Sequence, residues 1–226
     1  MEENYLREFL NHLDEPLRPE AREFFKPESI DREQYIFIDQ DEATHLYLIE
    51  SGLVETNIVH GDGKLYILNF LYPGQIFGEG ALYEEGVYSY SSVAREDSEV
   101  WRVTWDDLQW LASKDSLFAL YLIRLIIQKL DQAYYKDRCI AGEKVERRIA
   151  CVLLKMIDER GITDKCGIVL NTPLTNRDIA GLVGSTEETV SRIMSRLKKE
   201  DIISLGEDKC LTVQDKSALL SYFEGI

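Results

Sequence analysis

The chain has 226 residues, 45% hydrophobic and 30% charged, with a formal net charge of −15. This is the composition of a globular protein, and no apolar run approaches the ~20 residues that a membrane helix needs. The acidic start MEENYLREFLNHLDE lacks the apolar segment of a secretory signal, so a cytoplasmic protein without membrane contact is expected.

The acidity is unevenly placed. Residues 1–142 carry 13 Lys+Arg and 27 Asp+Glu, whereas residues 143–226 carry 13 and 14. A nearly neutral C-terminal part with a local cluster at Arg192, Arg196, Lys198 and Lys199 leaves room for a nucleic-acid contact confined to one small face. The four cysteines, Cys139, Cys151, Cys166 and Cys210, are dispersed without a CxxC pair, which predicts reduced thiols and neither a disulfide frame nor a metal site. His12, His45 and His60 are scattered over turns and strand ends. With no paired carboxylates, Ser–His–Asp set or phosphate loop, no enzyme is expected.

In chain order, Tyr5, Leu6, Phe9, Leu10 and Leu13 suggest a short amphipathic helix, and Glu20–Phe25 another. From about Ser29 the pattern changes to short β-like runs at Tyr35–Ile38, Leu46–Glu50, Leu53–Val59, Lys64–Tyr72, Val87–Ala94 and Glu99–Val103. Turn residues such as Ser51-Gly52, Pro73-Gly74 and Gly78–Gly80 punctuate them, which points to an antiparallel roll or barrel. Helical spacing resumes at Trp105–Ala112 and runs long from Ser116 to Arg138. Leu120, Ile123, Ile127, Leu130 and Tyr134 follow the spacing of a coiled-coil seam, and Leu117, Leu122, Leu125 and Ile126 form a second apolar face. A helix with two apolar faces either covers its own roll and a partner subunit or lies fully buried in a single core. Cys139–Gly142 is a candidate hinge, and a helix is expected at Glu143–Glu159.

Leu174–Asp201 then has the form of a helix–turn–helix. Thr175 and Asp178 cap its first helix, Gly184 permits the sharp exit, and Ser185 or Thr186 caps the second. Val190, Ile193, Met194 and Leu197 would be buried, leaving Glu188, Ser191, Arg192 and the basic end outward. Ile202–Leu205 and Cys210–Val213 flank Gly206-Glu207-Asp208 as a wing, and Lys216–Phe223 closes the chain as a helix.

This order resembles the CRP/FNR family of bacterial transcription regulators over nearly the whole chain. Pro73-Gly74-Gln75-Ile76-Phe77-Gly78-Glu79 looks like the family's PGxxxGE signature, and Ile179-Ala180, Val183-Gly184 and Glu188-Thr-Val-Ser-Arg192 fall at the spacing of its reading motif. The resemblance implies an α+β protein in three parts. These are a cupin-like jelly-roll sensor domain (1–115), a long dimerisation helix and hinge (116–142) and a winged helix–turn–helix domain (143–226). It further implies a homodimer on a palindromic operator in double-stranded DNA, with RNA polymerase as a further partner. Glu188, Ser191 and Arg192 would read a TGA-like core in each half-site. Asn176, Arg177, Thr186, Thr189, Arg196 and Lys198 would touch phosphates. Glu187 stands where the cyclic AMP receptor has an arginine, so the outer bases are not specified by the resemblance. A ligand-binding module that uses its C-terminal domain for protein contacts is the alternative.

The effector pocket carried over from the family comprises Gly78, Glu79, Tyr88, Ser89 and Tyr134. Family members that bind cyclic nucleotides hold the phosphate with an arginine after the GE signature. Here Tyr88 or Ser89 takes that place, so a buried phosphate would lose its charge-assisted partner. Tight cyclic AMP binding is therefore not expected, and the effector is an unassigned small molecule. Tyr83, Tyr88, Tyr90, Tyr134 and Tyr135 either fill the roll and the dimer seam or sandwich an aromatic ligand.

Overall fold

The computed structural model describes residues 4–61, 63–83, 86–140, 144–165, 167–170, 172–206 and 210–224. They divide into two compact units, residues 1–131 and 132–226.

In the first unit, helices α1 (Asn4–Leu10) and α2 (Arg18–Phe24) precede eight strands: β1 (Lys26–Ile30), β2 (Tyr35–Phe37), β3 (His45–Ser51), β4 (Val54–Val59), β5 (Leu65–Leu71), β6 (Ile76–Phe77), β7 (Ser91–Ala94) and β8 (Ser98–Thr104). The strands form two antiparallel four-stranded sheets, ordered β1-β8-β3-β6 and β2-β7-β4-β5. Period-two alternation aims Ile49, Val54, Leu71, Phe77, Ala94 and Val100 into the space between the sheets, which Phe37, Tyr47 and Tyr88 fill with stacked rings. A second core joins α1, α3 (Trp105–Lys114) and the first half of α4 (Ser116–Ile140) to the outer side of the roll through Leu6, Phe9, Trp101, Leu108 and Phe118.

Buried Glu50 ties the N-terminal helix to this roll. Its carboxylate accepts the backbone N–H groups of Asn4, Tyr5 and Leu6 and the indole N–H of Trp101 at 2.7–3.0 Å. It thereby occupies the N-terminal donors of α1 that the helix itself leaves open. At the start of α4, Asp115 does the same for Leu117 and Phe118.

The second unit holds the end of α4, then α5 (Val145–Arg160), β9 (Gly161–Asp164), β10 (Gly167–Leu170), α6 (Asn176–Val183), α7 (Glu187–Lys199), β11 (Ile203–Leu205), β12 (Leu211–Val213) and α8 (Lys216–Glu224). Its antiparallel sheet has the order β11-β12-β10-β9, and its core gathers Ile149, Leu153, Ile179, Val183, Val190, Ile193, Leu197 and Leu211.

Four sequence expectations are corrected. β1, β6 and β9 lie outside the expected runs. Their segments are short or polar, and only pairing with β8, β3 and β10 makes them strands. Leu117 does not join the core face of α4; it is exposed, and Phe118 turns inward instead. The helix continues through Cys139 to Ile140, while Ala141 and Gly142 of the expected hinge, and Glu207 and Asp208 of the wing turn, lie outside the described residues. Last, Cys139 and Cys151 are joined as a disulfide, with Cα atoms 6.2 Å apart. The last turn of α4 meets the second turn of α5, a proximity that a spacing of twelve residues does not disclose. Cys210 is a buried thiol, and Cys166 lies outside the described residues.

Candidate functional site

The reading motif is built from its caps. Thr175 accepts the Asp178 N–H at 3.1 Å while the Asp178 carboxylate accepts the Thr175 N–H at 2.8 Å, a reciprocal box that starts α6. The helix ends at Gly184 with φ +59°, a left-handed conformation that glycine adopts without strain. Ser185 then donates its N–H back to Ala180 at 3.0 Å. Of the two candidate caps, it is Thr186 whose hydroxyl accepts the Thr189 N–H and opens α7. Arg148 of α5 steadies the turn by donating to the Val183 carbonyl at 2.7 Å. No local pattern marks Arg148, because the contact joins elements 35 residues apart.

Helical spacing then sorts the side chains of α7. Val190, Ile193, Met194 and Leu197 are buried, whereas Glu187, Glu188, Arg192, Ser195, Lys198 and Lys199 are exposed and Ser191 and Thr189 half-exposed. Glu188, Ser191 and Arg192 therefore share one outward face, at positions i, i+3 and i+4. On α6, Arg177 is exposed and Asn176 half-buried at the first helical position. Arg196 is held within the domain. It pairs with Glu146 at 3.0 Å and lies over the Tyr222 ring, and the Glu146 hydrogen bond raises its pKa further. A phosphate contact from Arg196 would have to compete with that pair.

The second place is Gly78–Glu79 in the roll. Gly78 has φ +81°, and a Cβ there would stand 2.9 Å from the His45 carbonyl, so the turn admits no side chain. Its N–H donates to the Tyr90 hydroxyl at 2.9 Å, which in turn donates to Glu79 Oε2 at 2.6 Å. Lys129 of α4 approaches both Glu79 oxygens at 3.1 Å. Burial alone would raise the Glu79 pKa. The Lys129 charge and the hydrogen bonds from Tyr90 and Lys129 outweigh it, so the carboxyl sits below its usual range. Burial and the adjacent Glu79 carboxylate push the Tyr90 phenol well above 10.0.

Of the expected pocket residues, Gly78 and Glu79 stand together. Tyr88 is buried, stacked 3.7 Å from the Phe37 ring and bonded through its hydroxyl to the His45 backbone. Ser89 points to solvent, and it is Tyr90 that reaches Glu79. Strand spacing could not have assigned this, because β7 begins only at Ser91 and residues 89–90 of the expected run form a bend before it. Nearby in sequence, Ser92 is fully buried, and its hydroxyl has no hydrogen-bond partner among the described residues. Buried Glu55, unmarked in the sequence, pairs with Arg95 at 2.9 Å and accepts from Asn57 at 2.7 Å.

The seam of α4 is open. Leu120 is 60% exposed, Ile123 53%, Ile127 51%, Leu130 46% and Tyr134 61%, an apolar stripe unusual on a lone helix in water. Among the described residues no helix is long and apolar enough to cross a membrane.

Comparison with known proteins agrees with both places. A family profile described as the cyclic nucleotide-binding domain matches residues 27–115, and one described as the Crp-like helix-turn-helix domain matches residues 147–222. The chain is 32% identical over 185 residues to the cyclic AMP receptor protein of Thermus thermophilus, covering 82% of this chain and 81% of that protein. It is 30% identical over 190 residues to the nitrogen fixation regulation protein FixK of Azorhizobium caulinodans, covering 83% and 75%. A CRP-family transcriptional regulator of Thermus thermophilus, solved by crystallography, superposes with a TM-score of 0.74 at 25% identity, over 88% of this chain and 97% of that one.

Proposed function

Because the chain belongs to the CRP/FNR family of DNA-binding transcription regulators, with an effector-binding roll and a Crp-like reading head, we propose that it acts as a homodimer on a palindromic operator. In this reading residues 1–115 form the effector domain, 116–142 the dimerisation helix and hinge, and 143–226 the DNA-binding domain. Two copies pair along Leu120, Ile123, Ile127, Leu130 and Tyr134, and each presents α7 to a major groove. The observation that carries the reading is the outward face of α7, where Glu188, Ser191 and Arg192 stand clear of the core while a capped turn and Arg148 fix the helix behind them. Arg192 pairs with guanine O6 and N7, and Glu188 accepts from the cytosine amine, each for about 1–3 kcal/mol of discrimination. Asn176, Arg177, Thr186, Thr189 and Lys198 position the helix on phosphates, with Arg196 joining once it leaves Glu146. RNA polymerase is the partner of the bound dimer, which works in the cytoplasm.

The effector site is the roll beside Gly78 and Glu79. Tyr90 and Lys129 already satisfy the carboxylate, so an effector enters by displacing the tyrosine hydroxyl. With no arginine after the signature, cyclic AMP lacks its phosphate partner and is not the effector. Binding shifts the dimer between two arrangements of its heads.

Selection of sites from a random DNA pool tests this function. Enrichment of a two-fold symmetric site with TGA-like halves supports it. Recovery of no preferred sequence would leave the C-terminal domain to protein contacts.

A further inference from the structure

The junction of α4 and α5 brings two cysteines and two lysines together. Cys139 and Cys151, both buried, are bonded across it. Lys136 precedes Cys139 by three residues and Lys155 follows Cys151 by four, so each lysine stands one turn from a cysteine on its own helix. The Tyr135 hydroxyl lies 3.6 Å from Cys151 Sγ, and the Lys155 ammonium is 5.9 Å from the centre of the Tyr135 ring. Burial and repulsion from Lys155 pull Lys136 down to about 7, against the opposing charge of Asp137. A cation beside a thiol, here the Lys155 ammonium one turn from Cys151, favours the thiolate that reacts with oxidants.

We propose that Cys139 and Cys151 form a reversible redox site, oxidised from two thiols to a disulfide by a peroxide, which ties the end of α4 to α5. One thiolate attacks the peroxide oxygen, giving a sulfenic acid and, with the proton, water. The second thiol then attacks the sulfenic sulfur, forming the S–S bond and releasing another water. In sum two thiols and one hydrogen peroxide give one disulfide and two waters, and a small dithiol reverses the step by exchange while becoming oxidised itself. The thiol chemistry stands on this geometry. Its consequence rests on the DNA-binding reading: the head of a regulator works where thiols are kept reduced, and disulfides in that setting are transient and redox-sensing.

The test uses the full-length wild-type chain, reduced by a dithiol and then treated with hydrogen peroxide. Because both cysteines are buried in the folded protein, acid quenching, alkylation of the unfolded chain and peptide mapping follow the state of each one. Expected are alkylatable Cys139 and Cys151 in the reduced protein, their loss after peroxide with a linked 139–151 peptide, and recovery on adding dithiol to the folded protein. A pair that stays alkylatable after peroxide overturns the site, and so does a bond that resists millimolar dithiol until the protein unfolds, which would make it a permanent staple. Affinity for the selected DNA site should change about tenfold or more between the two states, and Cys139→Ser/Cys151→Ser should abolish that response. Equal affinity in both states overturns the coupling to DNA. Absence of DNA binding in either state contradicts the DNA reading and leaves the thiol mapping to decide the redox site.

Discussion

Tyr90 donates its hydroxyl to Glu79 Oε2 at 2.6 Å, beside the left-handed turn at Gly78. A side chain of the chain's own roll thus satisfies the signature carboxylate, and Lys129 neutralises it from α4. In the proposed effector site this acid is already paired, so a ligand hydroxyl would have to displace Tyr90 to reach it.

That pairing makes stability depend on pH. In the folded chain Glu79 holds its proton less tightly than an ordinary carboxyl of pKa 4.5. The unfolded chain therefore binds more protons in this range, and the contribution is complete above about 4.5 and lost as the pH falls through the lowered value. Urea unfolding at stepped pH should show a steeper acid loss in the wild type than in Glu79→Gln. Equal slopes would mean that Tyr90 and Lys129 leave Glu79 unperturbed.

The α4 seam predicts a second outcome. Ile127 is half-exposed in the single chain, so Ile127→Glu should leave the fold intact by circular dichroism. It should weaken self-association by about 3 kcal/mol or more, since two copies lose a buried side chain and gain a charge. Sedimentation velocity reads this as a shift from dimer to monomer. A dimer of unchanged strength would place the interface elsewhere.

Arg148 is expected to act on affinity without acting on specificity. Arg148→Ala leaves the Val183 carbonyl without its 2.7 Å donor, at a cost of about 1–2 kcal/mol in stability of the domain. Fluorescence anisotropy should show weaker binding to the selected site and to its single-base variants by one common factor. A changed base preference would instead make Arg148 part of the reading surface.

Most of the architecture was legible because periodicity and turn chemistry are local. The turn-bounded runs of β3, β4, β5 and β8 and the caps at Thr175, Thr186 and Gly184 needed no knowledge of their partners. What stayed hidden depends on distant contacts. Lys26–Ile30 is mostly polar, contains Pro27, and becomes a strand only against β8. Arg148 meets Val183, and Glu55 meets Arg95, across separations that no local pattern spans. In the pocket, the sequence offered Tyr88 or Ser89 after the signature, whereas Tyr90 is the side chain that meets Glu79, a contact set by how the loop folds back and not by spacing. The Cys139–Cys151 bond escaped for the same reason, since it depends on how two helices meet.

The measurement that bears most directly on the account is DNA site selection run in parallel with the wild type and Arg192→Ala. Arg192 stands exposed one turn from Glu188 on a helix whose opposite side is core, so its removal should not unfold the domain. The wild type should enrich a palindrome with TGA-like halves. The variant should lose preference at one guanine position in each half, with binding to the wild-type site weaker by about 1–3 kcal/mol. An unchanged motif from Arg192→Ala, at unchanged affinity, would contradict the assignment of α7 as the base-reading helix.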